Sequence, residues 1–373
     1  MKLREFVLVL FAFLLAGCAP ATGGPLATEV AVQATIFAPS PTPLQPVPPT
    51  ATPVPGPESW PGATSFVLLG LDSDPAHPER NAYGIRTDVF VIGVLVTYPQ
   101  WDAPPRLVLF SLPRDLYLPI ACAGDTQTGS WIDLPGQYAI DQSLADVPRE
   151  AFDRINAAYY RGGPECVRET IRWNFGITVD GPVVAVEMGK FVEAVDALGG
   201  LDITPGEDYV DFCGYYLGTD GNGGDWRHWR PGVTRHLTGN EVLCYVRGRR
   251  TPDGDLDRNR RTLEVLQAAR QQWTPEHLMN TAGADGVATL MSWAWNYVTV
   301  DNWITTITWS VDNFEPLRLA EINTARMRLG ETVEFYTTPG GASVVVPAFN
   351  LVEPGMDQAD YLMHWFGCGI WAC

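Results

Sequence analysis

The sequence predicts an α/β sandwich. Short apolar runs that read as buried strands alternate with segments carrying helix start and stop signals, and no internal repeat competes with that pattern. A chain of 373 residues is long enough to bury a sheet on both faces. Its 46% hydrophobic and 18% charged content is that of a globular protein.

The N-terminus sets the compartment. Lys2 and Arg4 precede the apolar run Phe6 to Leu15, followed by Ala16-Gly17-Cys18. A basic start, a short apolar core and small residues before a cut form an export signal, and the run is too short to span a bilayer. Leu15-Ala16-Gly17-Cys18 resembles a lipobox, which predicts cleavage before Cys18, lipid on its sulfur and anchoring to the outer face of the bacterial plasma membrane. Residues 19–64 are low in complexity and rich in Pro and Thr. They predict a stiff polyproline spacer rather than a packed core.

The elements follow in order. Ser65–Gly70 is a short apolar run ending in Gly. Asp88–Thr97 and Arg106–Leu112 are two more, joined by a Pro-rich turn that suits an antiparallel pair. Pro164–Phe175 predicts a helix with Pro in its first turn. Lys190–Leu198 predicts another, stopped by Gly199-Gly200, before a strand at Leu201–Thr204. Thr238 and Glu241 form a capping box for a helix to Val246, and Leu256–Trp273 predicts a longer one. Gly340–Pro347 reads as a turn and strand. Residues 65–273 would form the main domain, and 274–373 either complete it or make an accessory unit. The later tryptophans Trp293, Trp295, Trp303, Trp309, Trp365 and Trp371 have core-like spacing, with a sugar-stacking or membrane-facing surface as the alternative.

Six cysteines remain after Cys18, and six allow 15 pairings. The expected pairs in an exported chain are Cys122–Cys166, Cys213–Cys244 and Cys368–Cys373. There is no CxxC and no zinc spacing. The net charge of -18 argues against general nucleic-acid binding, which needs an excess of cations.

Against that acidity stands Arg247–Arg261, RGRRTPDGDLDRNRR, with six Arg and three Asp. A concentrated positive patch in an acidic chain implies a specific anion. Arg247 and Arg249 follow one predicted helix, while Arg258 and Arg261 share a face of the next, so the two sets could converge across the turn. Asp253, Asp255, Asp257 and Glu264 have EF-hand spacing, but Arg258 stands where that loop needs Gly. The Asp220–Asp225 stretch reads as a surface loop rather than a calcium turn. Asp72, Asp88 and Asp115 sit at strand edges. Two carboxylates in such a place suit a hard cation such as Mg²⁺ beside phosphate. Ser111 is not in GxSxG and the five His show no HExxH, so neither a serine nor a zinc hydrolase is indicated.

Together these motifs resemble the LytR-CpsA-Psr family: LLGLD (68–72), RTD (86–88), SLPRD (111–115), RINAAY with RGGPE (154–165), VDALGGLDI (195–203), LTGNEVLCYVRGR (237–249) and GDLDRNRR (254–261). The resemblance implies a three-layer α/β/α sandwich around a central mixed β-sheet, with a C-terminal extension. It implies an extracytoplasmic phosphotransferase that moves a glycopolymer from a polyprenyl-diphosphate carrier to peptidoglycan, with residual pyrophosphatase activity. Its metal would be Mg²⁺, with Mn²⁺ as a substitute, at Asp72 and Asp88. Its diphosphate clamp would be Arg86, Arg114, Arg154, Arg247, Arg249, Arg258 and Arg261. Asp88 and Asp255 are the candidate proton acceptors, and Asp88, Arg114, Arg247, Arg249 and Asp255 form the catalytic set. The polyprenyl tail would occupy an apolar tunnel, lined by apolar faces of the strands and of the 239–246 helix. Arg154 stands where the family usually has Lys, Thr262 where it has Gln, and Asp74 where many members have Arg. Those departures keep a second expectation open, a non-catalytic lipoprotein that binds polyprenyl diphosphates or a cell-wall glycan. A sugar-binding transport lipoprotein gives the Arg cluster no role.

Overall fold

The structure, a computed structural model, describes residues 62–73, 85–97, 104–122, 152–213, 225–283, 286–329, 332–338 and 340–347. Cys18, the Pro/Thr-rich stretch up to residue 61, Asp74, residues 218–224 and the Cys368–Cys373 pair lie outside them.

A six-stranded mixed sheet is the centre of the molecule. Strands β1 (Ala63–Leu71), β2 (Thr87–Val96) and β3 (Arg106–Leu112) form an antiparallel meander. Two short strands, β4 (Tyr117–Pro119) and β5 (Phe152–Arg154), pair with each other beside it. Strand β6 (Val183–Glu187) lies parallel to β1. Side chains alternate along each strand. Val67, Leu69 and Leu71 face the same cluster as Val167, Ile171 and Phe175. Phe66 and Leu68 face the opposite one with Leu263, Trp309 and Leu317. Near-continuous apolar runs are what a sheet covered on both faces requires.

The first covering helix, α1 (Ala158–Phe175), supplies Val167, Ile171 and Phe175. Its backbone breaks at Gly162 and Gly163, the latter at φ +65°, so Pro164 opens the regular part as the sequence predicts. The Cys122–Cys166 disulfide ties this helix to the chain beyond β4. On the opposite side stand α2 (Met188–Ala197), α3 (Gly239–Arg247) and α4 (Asp255–Gln272). Gly199 and Gly200, at φ +86° and +83°, turn the chain from α2 into β7 (Leu201–Ile203). A hairpin of β8 (Tyr209–Cys213) and β9 (Asp225–Trp229) and the short β10 (Arg235–Leu237) follow. The capping box forms as predicted: the Glu241 carboxylate accepts from the Thr238 backbone N–H at 3.0 Å.

After α5 (Pro275–Ala282) and α6 (Gly286–Tyr297), the chain returns to the sheet. Strand β11 (Thr299–Val300) pairs with β6 at one edge. Helix α7 (Trp303–Leu319) then crosses the sheet to β12 (Glu321–Arg326), which pairs with β3 at the other edge. Residues beyond 273 thus supply both edge strands. The hairpin of β13 (Val333–Thr337) and β14 (Ser343–Pro347) packs beside β4.

The opposite layer does not close against β1 and β6. Two adjoining apolar cavities of about 90 and 140 Å³ share Leu68, Val184, Val186, Phe191, Val265 and Leu266. The first continues to Trp293, Tyr297 and Trp303. The second ends at Asp88, Arg247 and Arg258.

The tightest point in the sheet is Gly93. A Cβ built there would lie 2.3 Å from Phe66 Cζ. Gly93→Ala is expected to cost roughly 2 kcal/mol or more, because a packed core answers extra volume with strain. Urea denaturation checks this, and an unchanged midpoint would refute it.

Candidate active site

Five elements bring acidic and basic side chains to the end of the second apolar cavity. Asp72 follows β1 and is fixed by its backbone N–H, which donates to the Arg86 carbonyl at 2.8 Å. Asp88 lies near the start of β2, with a side chain 8% exposed. Arg114 and Asp115 occupy the turn after β3, closed by the Leu116 N–H donating to Pro113 O at 3.0 Å. Arg247 ends α3 and Arg249 lies just beyond. Asp255 and Arg258 are in the first turn of α4.

The side chains interlock around Asp88. Arg114 Nη1 donates to Asp88 Oδ1 at 2.8 Å, and its Nε donates to Asp255 Oδ2 at 3.2 Å. The other Asp88 oxygen faces Arg258 Nη1 at 3.5 Å and Arg249 Nη2 at 3.7 Å. Arg249 Nε also meets Asp255 Oδ1 at 3.1 Å, and Arg247 Nη1 lies 3.5 Å from Asp72. The expected convergence across the α3–α4 turn therefore forms through Arg247, Arg249 and Arg258.

Arg258 has the least ordinary environment. Its side chain is 1% exposed, yet none of its three guanidinium nitrogens has a hydrogen-bond partner among the described residues. Asp88 Oδ2 and Asp255 Oδ1 are buried without one too. Buried polar atoms of this kind are rare and call for oxygen or cation ligands. Burial works against the Arg258 charge, while Asp88 and Asp255 support it. The net shift is downward, from a value so high that the guanidinium stays charged. Burial pushes the Asp88 carboxyl up, but Arg258 and Arg114 outweigh it and hold it below the ordinary range. For Asp255 burial again opposes ionisation, and Arg258, the Asp115 hydrogen bond, Arg114 and Arg249 pull it down to about 2. Asp115 moves the other way: burial and its hydrogen bond to Asp255 raise it, so it protonates first.

The remaining residues of the expected clamp sit elsewhere. Arg154 Nε lies 3.1 Å from Asp115, and its Nη2 donates to Ser343 O at 2.9 Å, so it touches the cluster only through Asp115. Arg86 is exposed and lines a separate polar cavity of about 130 Å³ with Asp153, Arg154 and Arg161. Arg261 turns away from the cluster. Fully buried, it stacks on Tyr209 at 4.6 Å, pairs with Glu207 and donates to the Gly248 carbonyl. It positions the Arg247–Arg249 segment from behind. A shared helix face did not carry Arg258 and Arg261 to one place, because β8 inserts Tyr209 beside Arg261.

Asp211 was not anticipated as part of the site. Its Oδ2 accepts from the Arg249 backbone N–H at 3.0 Å, and its Oδ1 faces Arg250 Nε at 3.5 Å. The Cys213–Cys244 disulfide brings β8 against α3 and so delivers Asp211. That pairing was the one usable signal in the sequence. Asp115 carried a signal too, beside Arg114 in SLPRD. A polar cavity of about 370 Å³ opens over these groups, lined by Asp72, Arg114, Asp211, Arg247, Arg249 and Arg250.

Among the described residues, no group of three or more His, Cys, Asp or Glu could hold a metal by itself. Asp72 and the hydrogen-bond-free Asp88 Oδ2 fit Mg²⁺ only jointly with oxygens of a bound phosphate. That is the usual way this ion is held beside a substrate diphosphate. The site as a whole can receive an anion of high charge density where an apolar cavity meets a polar one.

A sequence profile of the LytR_cpsA_psr family matches residues 52–329. The regulatory protein MsrR of Staphylococcus aureus strain COL is 33% identical over 130 residues, 34% of this chain and 36% of that one. The polyisoprenyl-teichoic acid–peptidoglycan teichoic acid transferase TagU of Oceanobacillus iheyensis is 24% identical over 217 residues, 56% of this chain and 51% of that one. The chain thus spans about a third to a half of the length of these relatives. In fold it is similar to the crystal structure of protein gbs0355 from Streptococcus agalactiae. The TM-score is 0.52 at 20% identity, with 77% of this chain and 82% of that one covered. The profile takes in all six strands of the central sheet and every residue of the Arg–Asp cluster, and so the chain belongs to the LytR-CpsA-Psr family.

Proposed function

We propose that this protein is a phosphotransferase acting on a polyprenyl-diphosphate-linked glycan, with a peptidoglycan sugar hydroxyl as acceptor. The observation that carries the reading is the junction of the second apolar cavity with the buried, hydrogen-bond-poor guanidinium of Arg258. A ligand that satisfies both has a long apolar tail and an anionic head. The substrate and acceptor printed in the name of TagU support the same chemistry.

Arg114, Arg247, Arg249 and Arg258 would hold the diphosphate, since guanidinium forks match phosphate oxygens. Phosphoryl transfer asks for positioning and charge neutralisation more than covalent help. Asp72 and Asp88 would hold Mg²⁺, which when bound neutralises diphosphate charge. The acceptor hydroxyl forms a bond to the phosphorus next to the glycan. The bond from that phosphorus to the bridging oxygen breaks, polyprenyl phosphate leaves, and the hydroxyl proton passes to a carboxylate. The Asp115–Asp255 pair suits that last role better than Asp88, which lies deeper among arginines. Water in place of the acceptor gives pyrophosphatase turnover. Through Cys18 the protein would be lipid-anchored on the outer face of the plasma membrane.

One observation favours the second reading, a binding module without turnover. Thr262, in the family's Gln position, donates its hydroxyl to the Arg258 carbonyl at 3.0 Å and so offers no donor to the cavity.

Release of polyprenyl phosphate from a polyprenyl diphosphate separates the two readings. Mg²⁺-dependent release is expected. Arg249→Ala and Asp88→Ala should each lower it by about 10²- to 10³-fold, the usual effect of removing preorganised charge from a transition state. Tight lipid binding without turnover, even with a cell-wall acceptor present, would select the binding module instead.

The pH profile tests the proton acceptor. A base must be unprotonated to act, and Asp115, with its raised pKa, is the first of the pair to take a proton. Turnover should therefore fall on an acid limb above the ordinary carboxylate value and be flat towards neutrality. Asp115→Asn should move that limb to lower pH, because the remaining Asp255 is held below the ordinary carboxylate range by Arg258, Arg114 and Arg249. An acid limb unmoved by the substitution would assign the proton elsewhere.

A further inference from the structure

We propose that the α6–α7 hairpin is a membrane-docking face through which the apolar cavity is filled directly from the bilayer. Residues 286–311 hold one charged side chain in 26, Asp301, where roughly five would be expected at the chain's average of 18%. That one charge is taken up by Arg168. The stretch also exposes its apolar side chains: Ile304 is 76% exposed, Trp295 68% and Met291 40%. Trp295 stacks on Trp303, with ring centroids 5.3 Å apart. Trp303 in turn lines the apolar cavity with Trp293 and Tyr297. The exposed patch and the cavity wall are therefore one continuous surface.

The occupant follows from chemistry. A chain of net charge -18 is repelled as a whole by anionic lipid headgroups, and a face that carries almost no charge escapes that repulsion. An uncharged face with Trp at its rim and Ile and Met at its crest is the composition that settles at a bilayer interface. A contiguous exposed apolar patch of this kind marks a binding surface. A lipid tail bound for the cavity would then pass from acyl chains to Trp303 without crossing water. The delivery half of the proposal rests on reading the cavity as a prenyl-tail site, whereas the docking half does not.

The test uses the full chain in phosphatidylcholine–phosphatidylglycerol vesicles containing acyl-brominated lipid. Co-sedimentation with the vesicles reports attachment, and bromine quenching of tryptophan fluorescence in the sedimented protein reports insertion of this face. A quenched component is expected in the wild type. It should be missing in Trp295→Phe and at least fivefold weaker in Ile304→Glu, with thermal melting unchanged because both positions are exposed. Quenching that survives both substitutions, or is absent in the wild type, overturns the docking face. A dimer in detergent that Ile304→Glu disperses, without quenching in vesicles, would give the face to a second copy and likewise overturn it.

Uptake of polyprenyl phosphate separates delivery from the tail site. Ile304→Glu should load at least tenfold more slowly from vesicles and within twofold of wild type from detergent micelles. Equal loading from vesicles overturns the delivery route. If the wild type takes up no polyprenyl phosphate from micelles, the reading of the cavity and the delivery route with it are refuted, while quenching still decides the docking face.

Discussion

The carboxylate of Asp88, buried near the start of β2 and shared among Arg114, Arg249 and Arg258, is the interaction around which this molecule is arranged. Those arginines come from the turn after β3, the α3–α4 loop and the first turn of α4. One acidic group thus fixes three elements in register. Burying a charge is costly unless it is paired, and breaking one member of such a set leaves the others uncompensated. Arg258 also keeps three nitrogens without hydrogen bonds among the described residues, the donors that the proposed diphosphate would meet.

The scaffold around that cluster serves to hold cations together. Like charges repel, and Arg247, Arg249 and Arg258 approach only because elements behind them supply restraint. Arg261 and Glu207 secure the Gly248 carbonyl, Asp211 secures the Arg249 amide, and the Cys213–Cys244 bridge carries Asp211 into place. None of these groups lies in the second apolar cavity, yet they set the distance between Arg247 and Arg249 and so the span of the cationic cluster.

The apolar half of the molecule is built by omission. The second layer stands off β1 and β6, and side chains that would otherwise meet across a core instead line adjoining cavities. The tail of the proposed amphiphile would give that lining the dispersion contacts it lacks across the core, with its head at the cationic cluster. The charge-poor 286–311 part of the α6–α7 hairpin extends that lining to the surface.

The sequence by itself determined the α/β class, the strands of the meander, the capped helices and the position of the cationic segment. These are local properties: apolar period, Gly and Pro at turns, a Thr/Glu pair three residues apart. The two expected cysteine pairs that fall among the described residues, Cys122–Cys166 and Cys213–Cys244, both form. Tertiary structure alone decided which arginines meet. Arg258 and Arg261 are alike on a helical wheel, but one faces β2 and the other is met by Tyr209 of β8. Arg86 lies two residues from Asp88, yet it opens into another cavity. Tertiary structure also decided the fate of the tryptophans: Trp309 is core, while Trp295, with the same kind of spacing, is exposed. The spacing of side chains along a chain fixes which face of its own element a residue occupies. What stands opposite that face is set by the packing of elements far apart in sequence.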